Sequence, residues 1–493
     1  MTQAAVAQDT ATGGPRVIII GAGMSGLLMG IRLQQAGITD VEILEKSHKL
    51  GGTWRENTYP GIACDIPSHF YSYSFAPNPG WSHWFAPGEE IQAYFERVAA
   101  DYGLPERIRY NTEGAEARHD GKQWHIRCKD GSTYSADILV AATGVLHHPH
   151  SPEIPGLEDF EGACFHSAQW DHSVPLEGRR VGVVGTGSTA AQITSALTPK
   201  VARFSLFQRT AQWIFPLPNP EHSGFAKWCF RHLPGIGKLW YHLTRLSFQW
   251  SFSRAVLGHN LPHRILSAIA RRNLEKSVRD PDLRERLRPD YEPFCKRLII
   301  SPDFYDKIQR DNAELVTSPI ERVEAGGIRT ADGALHQLDV LVMATGFHAQ
   351  RYVRPMQLIN AQGRTLDDAW ADGAKALRSV AVPGFPNYFM VAGPYTPVGN
   401  YPLISTSEIQ VDYIMAFIER FKRGELQQVE AKEDALQSFV RDMDEGAAGT
   451  IWRTGGCNSW YLDANGNVTM WPWSFERFQR EMQRPQWEEF NVS

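Results

Sequence analysis

An α/β chain made of two parallel-sheet units of one design is predicted by three observations. A short apolar strand, RVIII, runs directly into a glycine turn and an amphipathic helix, GAGMSGLLMGIRLQQAG. The same order recurs at RRVGVVGTGSTAAQITSAL. Two closing segments also repeat: DGSTYSADILVAATG ends at Gly144, DGALHQLDVLVMATG ends at Gly346, and each reads as a hairpin feeding a buried strand. Uninterrupted apolar runs of this length are what a parallel sheet covered on both faces requires.

The first turn reads Gly21-x-Gly23-x-x-Gly26 and the second Gly185-x-Gly187-x-x-Ala190. In such a turn the first glycine permits the tight bend and the second lets backbone approach a pyrophosphate. The third lets helix pack on strand. The phosphates then rest on the helix N-terminus, where unpaired N–H groups and the helix dipole favour negative charge. One such turn is weak evidence; two, each between strand and helix and each closed by an ATG strand, predict two Rossmann-like dinucleotide-binding domains. Met24 and Ser25 in the first turn, and Ser188 and Thr189 in the second, supply the amides of the phosphate cradle.

The residue at the tip of the second strand of each unit selects the nucleotide. Glu45 lies nineteen residues after Gly26, and a carboxylate there accepts both hydroxyls of an unphosphorylated ribose. Arg209 lies nineteen residues after Ala190, with Thr210 beside it. A guanidinium in that slot pairs bidentately with a 2′-phosphate. The first unit therefore suits FAD and the second NADPH. Gly51 and Gly52 of the following GGTW, with Thr53 and Trp54, would let backbone run close to the flavin.

The predicted organisation is 1–145 with 376–493 as a discontinuous FAD-binding domain, 146–212 with 295–375 as the NADPH-binding domain, and 213–294 as a helical insertion. The insertion holds WCFRHLPGIGKLWYHLTRLSFQW. Its basic, aromatic, amphipathic character suits a membrane surface; its prolines and glycines favour a lid over the nucleotide domain.

Composition bounds the remaining classes. At 493 residues the chain is too long for one core. A net charge of −5 gives no reason to expect nucleic acid. The six cysteines (Cys64, Cys128, Cys164, Cys229, Cys295 and Cys457) include no CxxC and no close pair. That argues against structural zinc, a disulfide framework and a redox dithiol, and free thiols suggest a cytoplasmic location. His147, His148, His150 and His166 lack the cysteine or carboxylate that would complete a metal set. The first sixteen residues have no basic or apolar signal region and read as a frayed tail. No apolar run reaches membrane-spanning length.

Three further stretches carry a family resemblance. GGTWRENTYPGIACD (51–65) resembles the long flavin-side signature of type I Baeyer–Villiger monooxygenases. FEGACFHSAQWDHS (160–173), otherwise a loop by composition, is similar to the family's second signature, filled by Phe160, Gly162, His166, Trp170 and Asp171. FCKRLIISPDFYDKIQRDN supplies a Lys-Arg pair followed by an aromatic and Arg-Asp-Asn, and PNYFMVAGP and GCNSWYLD resemble the family's tail. The resemblance implies an NADPH- and O2-dependent oxidoreductase in which a C4a-peroxyflavin inserts one oxygen beside a ketone or aldehyde carbonyl, giving an ester or lactone. It assigns Arg297 as the cation over the reacting centre and Asp65 as the carboxylate that orients it. Lys296 joins Arg209 and Thr210 at the 2′-phosphate. Tyr71 falls among the flavin contacts, and His166 and Trp170 near the NADPH site, able to share one face if a helical turn forms. Attack on a carbonyl concentrates negative charge, and a guanidinium that cannot lose its proton is the suitable stabiliser. The competing readings are a flavin monooxygenase acting on nitrogen or sulfur, and an NADPH-consuming flavoprotein reductase or redox sensor. The ketone, and the oligomeric state, are not readable.

Overall fold

The computed structural model describes residues 14–493. Residues 1–13 of the stretch read as a frayed tail lie outside them. Two five-stranded sheets, parallel throughout, organise the chain. In the first, strand order from edge to edge is Tyr388–Met390, Ile138–Ala141, Val17–Ile20, Val41–Leu44 and Ile108–Arg109. Val17–Ile20 and Ile138–Ala141 are buried at every residue. Helices Met24–Gln35 and Leu403–Lys422 pack against each other beside this sheet. The second sheet runs Ala313–Val316, Arg203–Phe207, Arg180–Val184, Val340–Met343 and Ala163–His166, with helix Ser188–Leu197 following its central strand. Each ATG strand is preceded by a hairpin: Trp124–Cys128 with Thr133–Ala136, and Gly327–Thr330 with Leu335–Gln337.

The chain crosses between the sheets twice, side by side. His150 donates its amide to the Gly346 carbonyl at 2.8 Å, and His348 donates to the His148 carbonyl at 2.9 Å. The return crossing is earlier than position 376. Strand Gln357–Ile359 already pairs with Gly114–His119 of a four-stranded sheet, and Tyr352, Met356 and Leu358 share a core with Trp124 and Tyr388. A three-residue strand carries too little periodicity to be recognised before its partner is known.

The segment 160–173 is not a loop. Ala163–His166 forms the edge strand of the second sheet, in parallel register with Val340–Met343, and a single 3₁₀ turn, Ser167–Gln169, follows.

The 213–294 insertion is helical: Gly224–His232, Ile236–Trp250, Phe252–Ala255, Leu261–Ser277 and Pro281–Arg286. Its ends are held together by Ile214–Phe215 pairing with Ile299–Ile300. Leu266, Ala270 and Leu274 pack into the core of the second unit, whereas Tyr241 and Phe248 pack against that of the first. The insertion thus leans on both sheets.

The cysteines depart from expectation. Cys295 and Cys457 form a disulfide across a sequence separation of 162, leaving Cys64, Cys128, Cys164 and Cys229 as thiols. Spacing cannot reveal a pair that only the packing of residues 447–470 on the second core brings together. With that bridge present, the cysteines no longer point to a reducing compartment. No helix among the described residues is long and apolar enough to cross a membrane.

Candidate active site

The first glycine turn is closed around itself. Gly21 has φ +102°, and a Cβ at Gly26 would lie 1.9 Å from the Gly21 carbonyl oxygen. Gly23 caps the helix without a side-chain cap, so the first-turn amides of Met24, Ser25 and Gly26 have no intrahelical acceptor. A Cβ on Gly23 would meet only Gly52, at 3.5 Å, so the two glycines face each other across the phosphate cradle. The Ser25 hydroxyl is hydrogen-bonded to that of Ser407 at 3.0 Å. Glu45 is buried and accepts the amides of Ala22 (2.8 Å) and Ser47 (2.9 Å), with no cationic side chain paired to it among the described residues. A buried, uncompensated carboxylate at this place fits a neutral diol ligand, which is what a ribose offers.

The GGTW turn carries this cradle toward the second unit. Gly52 has φ +55° and precedes the single-turn helix Thr53–Glu56, in which Thr53 is exposed. Trp54 donates its indole N–H to the Tyr71 hydroxyl at 3.1 Å. Tyr59 and Gln192 are contacts that sequence reasoning missed. The buried Tyr59 phenol, pushed up to about 12 chiefly by burial, donates to Gln192 Oε1 at 2.8 Å, while Gln192 donates to the Ala63 carbonyl at 2.9 Å. Gly61, with φ +86°, lies so close to Gln192 that a Cβ would come within 2.7 Å of its carbonyl oxygen. The Tyr-Pro-Gly stretch is therefore the joint between the units. Nothing about Gln192 in isolation signals its part.

The second turn is open. Gly185 has φ +122° and packs on Ala344, but around Gly187 there is nothing within 4 Å of a built Cβ. Ser188, Thr189 and the wholly buried Ala190 form the first turn of the helix. Arg209 is exposed and forms no ion pair among the described residues; Thr210 accepts the Thr186 hydroxyl on its carbonyl at 2.7 Å. Lys296 sits over the Tyr291 ring at 5.0 Å. Burial, and then the like charge of Arg209, lower its pKa. Two cations that repel each other with no carboxylate bonded between them fit a dianionic group such as a 2′-phosphate.

Arg297 and Asp65, 232 residues apart, meet in a bidentate pair: Nε donates to Oδ2 and Nη2 to Oδ1, both at 2.7 Å. Burial acts to lower the Arg297 pKa, but the adjacent carboxylate overrides it and holds the guanidinium above its ordinary range. Burial likewise acts to raise Asp65, and Arg297 overrides it, leaving the carboxyl below its ordinary range. About a third of the Arg297 side chain is still accessible, and that surface faces a cavity of about 590 Å³. Asp65, Arg297 and Lys296 line it with Trp84, Trp240, Leu243, Phe248, Phe294 and Tyr401, so three charges stand in a largely aromatic chamber. Tyr461, fully buried and lining the same cavity beside Arg297, is a third residue missed. It lies in the SWYLD stretch that resembles the family's tail.

His166 and Trp170 do not share a face. In a strand successive side chains point to opposite sides. His166 turns inward against Phe347 (5.8 Å), whereas Trp170 packs on Phe165 (5.0 Å), on the other side. Burial lowers the His166 pKa, and its Nδ1 accepts the Ala168 amide. The imidazole caps the 3₁₀ turn.

Comparison with known proteins agrees with this architecture. The pyridine nucleotide-disulphide oxidoreductase family profile matches residues 18–223. An uncharacterized monooxygenase of Mycobacterium tuberculosis is 46% identical over 460 residues, covering 93% of this chain and 92% of that protein. A Baeyer–Villiger monooxygenase of Streptomyces coelicolor is 39% identical over 485 residues, covering 97% of this chain and 92% of its own. Among solved structures, cyclohexanone monooxygenase from Rhodococcus sp. Phi1 bound to NADP+ superposes with a TM-score of 0.86 at 27% identity, covering 98% of this chain and all of that one. With two parallel-sheet units, a cradle in each and an arginine–carboxylate pair in the cavity between them, this chain belongs to the Baeyer–Villiger monooxygenase family.

Proposed function

We propose that the protein uses FAD, NADPH and O2 to insert one oxygen atom beside the carbonyl of a small, apolar ketone or aldehyde, releasing an ester or lactone. FAD reduced by NADPH supplies the activated oxygen when bound. The observation that carries the reading is the bidentate Asp65–Arg297 pair opening onto an aromatic cavity of about 590 Å³. Arg297 stays protonated at any working pH and offers N–H donors where negative charge develops on the carbonyl oxygen. Asp65 holds the guanidinium plane and keeps part of its charge compensated. The aromatic walls exclude water, which strengthens the Arg297 interaction. Glu45 and the amides at Gly23, Met24, Ser25 and Gly26 hold the adenosine end of FAD, with Gly21 making the bend and Gly52, Thr53, Trp54 and Tyr71 along the GGTW side. Gly185, Gly187, Ser188 and Thr189 hold the NADPH pyrophosphate, and Arg209, Thr210 and Lys296 the 2′-phosphate. His166 and Trp170 brace the edge strand of the same sheet from opposite faces. We place the protein in the cytoplasm on the ground that NADPH is supplied there.

The test is Arg297→Ala in the flavin-loaded enzyme. Anaerobic flavin reduction by NADPH is expected to persist while ester formation falls about 100-fold or more, the usual effect of removing one such donor. An unchanged ester yield per NADPH removes Arg297 from the proposal; retained sulfoxidation without ester moves the protein to nitrogen or sulfur chemistry. The pH profile adds a second readout. Because the folded Asp65 value is depressed, its pairing stabilises the fold above the unfolded carboxylate value of about 4 and is lost only as pH falls through the lower folded value. The pair should contribute no inflection in kcat from mildly acidic pH upward.

A further inference from the structure

Ten of the twelve large apolar side chains exposed among the described residues lie between positions 225 and 269, inside the helical insertion. Phe225 and Trp228 stand on helix Gly224–His232, and Leu239, Leu243, Leu246 and Trp250 on helix Ile236–Trp250, which touches it. The last four are spaced at i, i+4, i+7 and i+11, one face of a helix. The opposite face is apolar too: Tyr241 and Phe248 are packed inward. A helix with apolar residues on both sides has a second partner to find. The surrounding charge says which kind. Residues 222–274 contain no aspartate or glutamate and eight lysines and arginines, in a chain whose net charge is −5. Of the eight, only Arg254 and Arg271 are ion-paired, to Glu476 and Glu292; the other six have no carboxylate partner among the described residues.

We propose that this face docks on an anionic phospholipid surface. Apolar side chains among unpaired cations match a bilayer interface, where the former enter the acyl boundary and the latter meet the headgroups. A second copy of the chain is the poorer occupant, because a two-fold interface sets this patch against itself and brings cations together. The face also borders the cavity. Trp240, Thr244, Ser247 and Phe248 of helix Ile236–Trp250 line it, and Leu243 both lines it and is 50% exposed, so Leu243 stands where cavity meets surroundings. Docking sets that rim against the layer in which an apolar ketone concentrates. The docking itself is independent of the oxygen-insertion reading, since binding, not turnover, reports it.

The experiment is flotation of the flavin-loaded full chain with vesicles of phosphatidylcholine alone or phosphatidylcholine mixed with phosphatidylglycerol. The chain is expected to float with the mixed vesicles, to release as salt is raised, and to bind neutral vesicles more weakly. Lys227→Ala with Lys238→Ala should lower anionic partitioning about 25-fold, at about fivefold for each basic residue near the surface. Leu239→Ser, Leu246→Ser and Trp250→Ser combined should abolish binding to both vesicles while leaving flavin content and thermal midpoint unchanged; none of the three lines the cavity. The proposal is overturned if the unaltered chain floats with neither vesicle, or if the triple variant binds as it does. A lipid-free dimer that the same triple substitution dissociates would also overturn it, by giving the face to a second copy.

Discussion

The two glycine turns share a motif and differ in how they are packed. At Gly26 a methyl would overlap the Gly21 carbonyl, whereas the matching position of the second turn is an alanine, wholly buried. A Cβ built on Gly23 would lie 3.5 Å from Gly52, whereas one on Gly187 would meet open space. The carboxylate of the first unit is buried, and the guanidinium in the same slot of the second is exposed. The motif supplies free helix N-terminal amides in both. What surrounds the motif sets how firmly the dinucleotide is enclosed, which suits a resident flavin in the first and a nicotinamide that must leave after reaction in the second.

The strongest way to break this comparison is Gly26→Ala. A Cβ placed 1.9 Å from a backbone oxygen cannot be relieved by a rotamer, so strand and helix must separate. Overpacking of this kind costs about 1–3 kcal/mol, and a rigid backbone neighbour puts it at the upper end. The expected result is a purified protein with little flavin and a lower thermal midpoint, read from flavin absorbance per chain and a melting curve. A variant with full flavin content would show that the first turn is no tighter than the second.

Arg209→Ala sharpens the other half. Hydrogen bonds to a charged group are each worth about 1.5–3 kcal/mol, so KM for NADPH should rise about 30-fold while KM for NADH stays within a factor of two. Flavin content should be unaffected, because Arg209 belongs to the second unit alone. A parallel loss with NADH would mean that Arg209 holds the pyrophosphate or the fold, and not the 2′-phosphate.

What was legible from the chain alone follows the same division between local pattern and distant packing. The glycine turns, the ATG strands and the Glu45–Arg209 contrast are local signals, each complete within one strand–turn–helix unit. The approach of Asp65 to Arg297 came from motif resemblance, since nothing local links residues 232 apart. Strand Ala163–His166 was hidden because four residues of mixed polarity at a sheet edge become a strand only when Val340–Met343 arrives beside them. The early return at Gln357–Ile359, the Cys295–Cys457 bridge and the Tyr59–Gln192 joint are of the same kind: each is defined by a partner far away in sequence. The exposed face of the insertion lay in between. Its amphipathic composition was visible, but which of its apolar residues remain uncovered required the packed cores.

The smallest expected effect is also the most discriminating between the turns. Ala190→Gly restores the full glycine motif to the second unit. If its third position had to be glycine for phosphate approach, the exchange would tighten NADPH binding. The packing argues otherwise: Ala190 is wholly buried in the first turn of helix Ser188–Leu197, where its methyl fills space between helix and strand. Removing it adds backbone freedom to the unfolded chain and costs about 0.5–1 kcal/mol, with a further loss from the vacated methyl volume. The thermal midpoint should therefore fall by a few degrees while KM for NADPH moves by less than twofold. A tenfold gain in NADPH affinity would mean that the second turn is as constrained as the first, and that the openness at Gly187 does not describe how it meets its ligand.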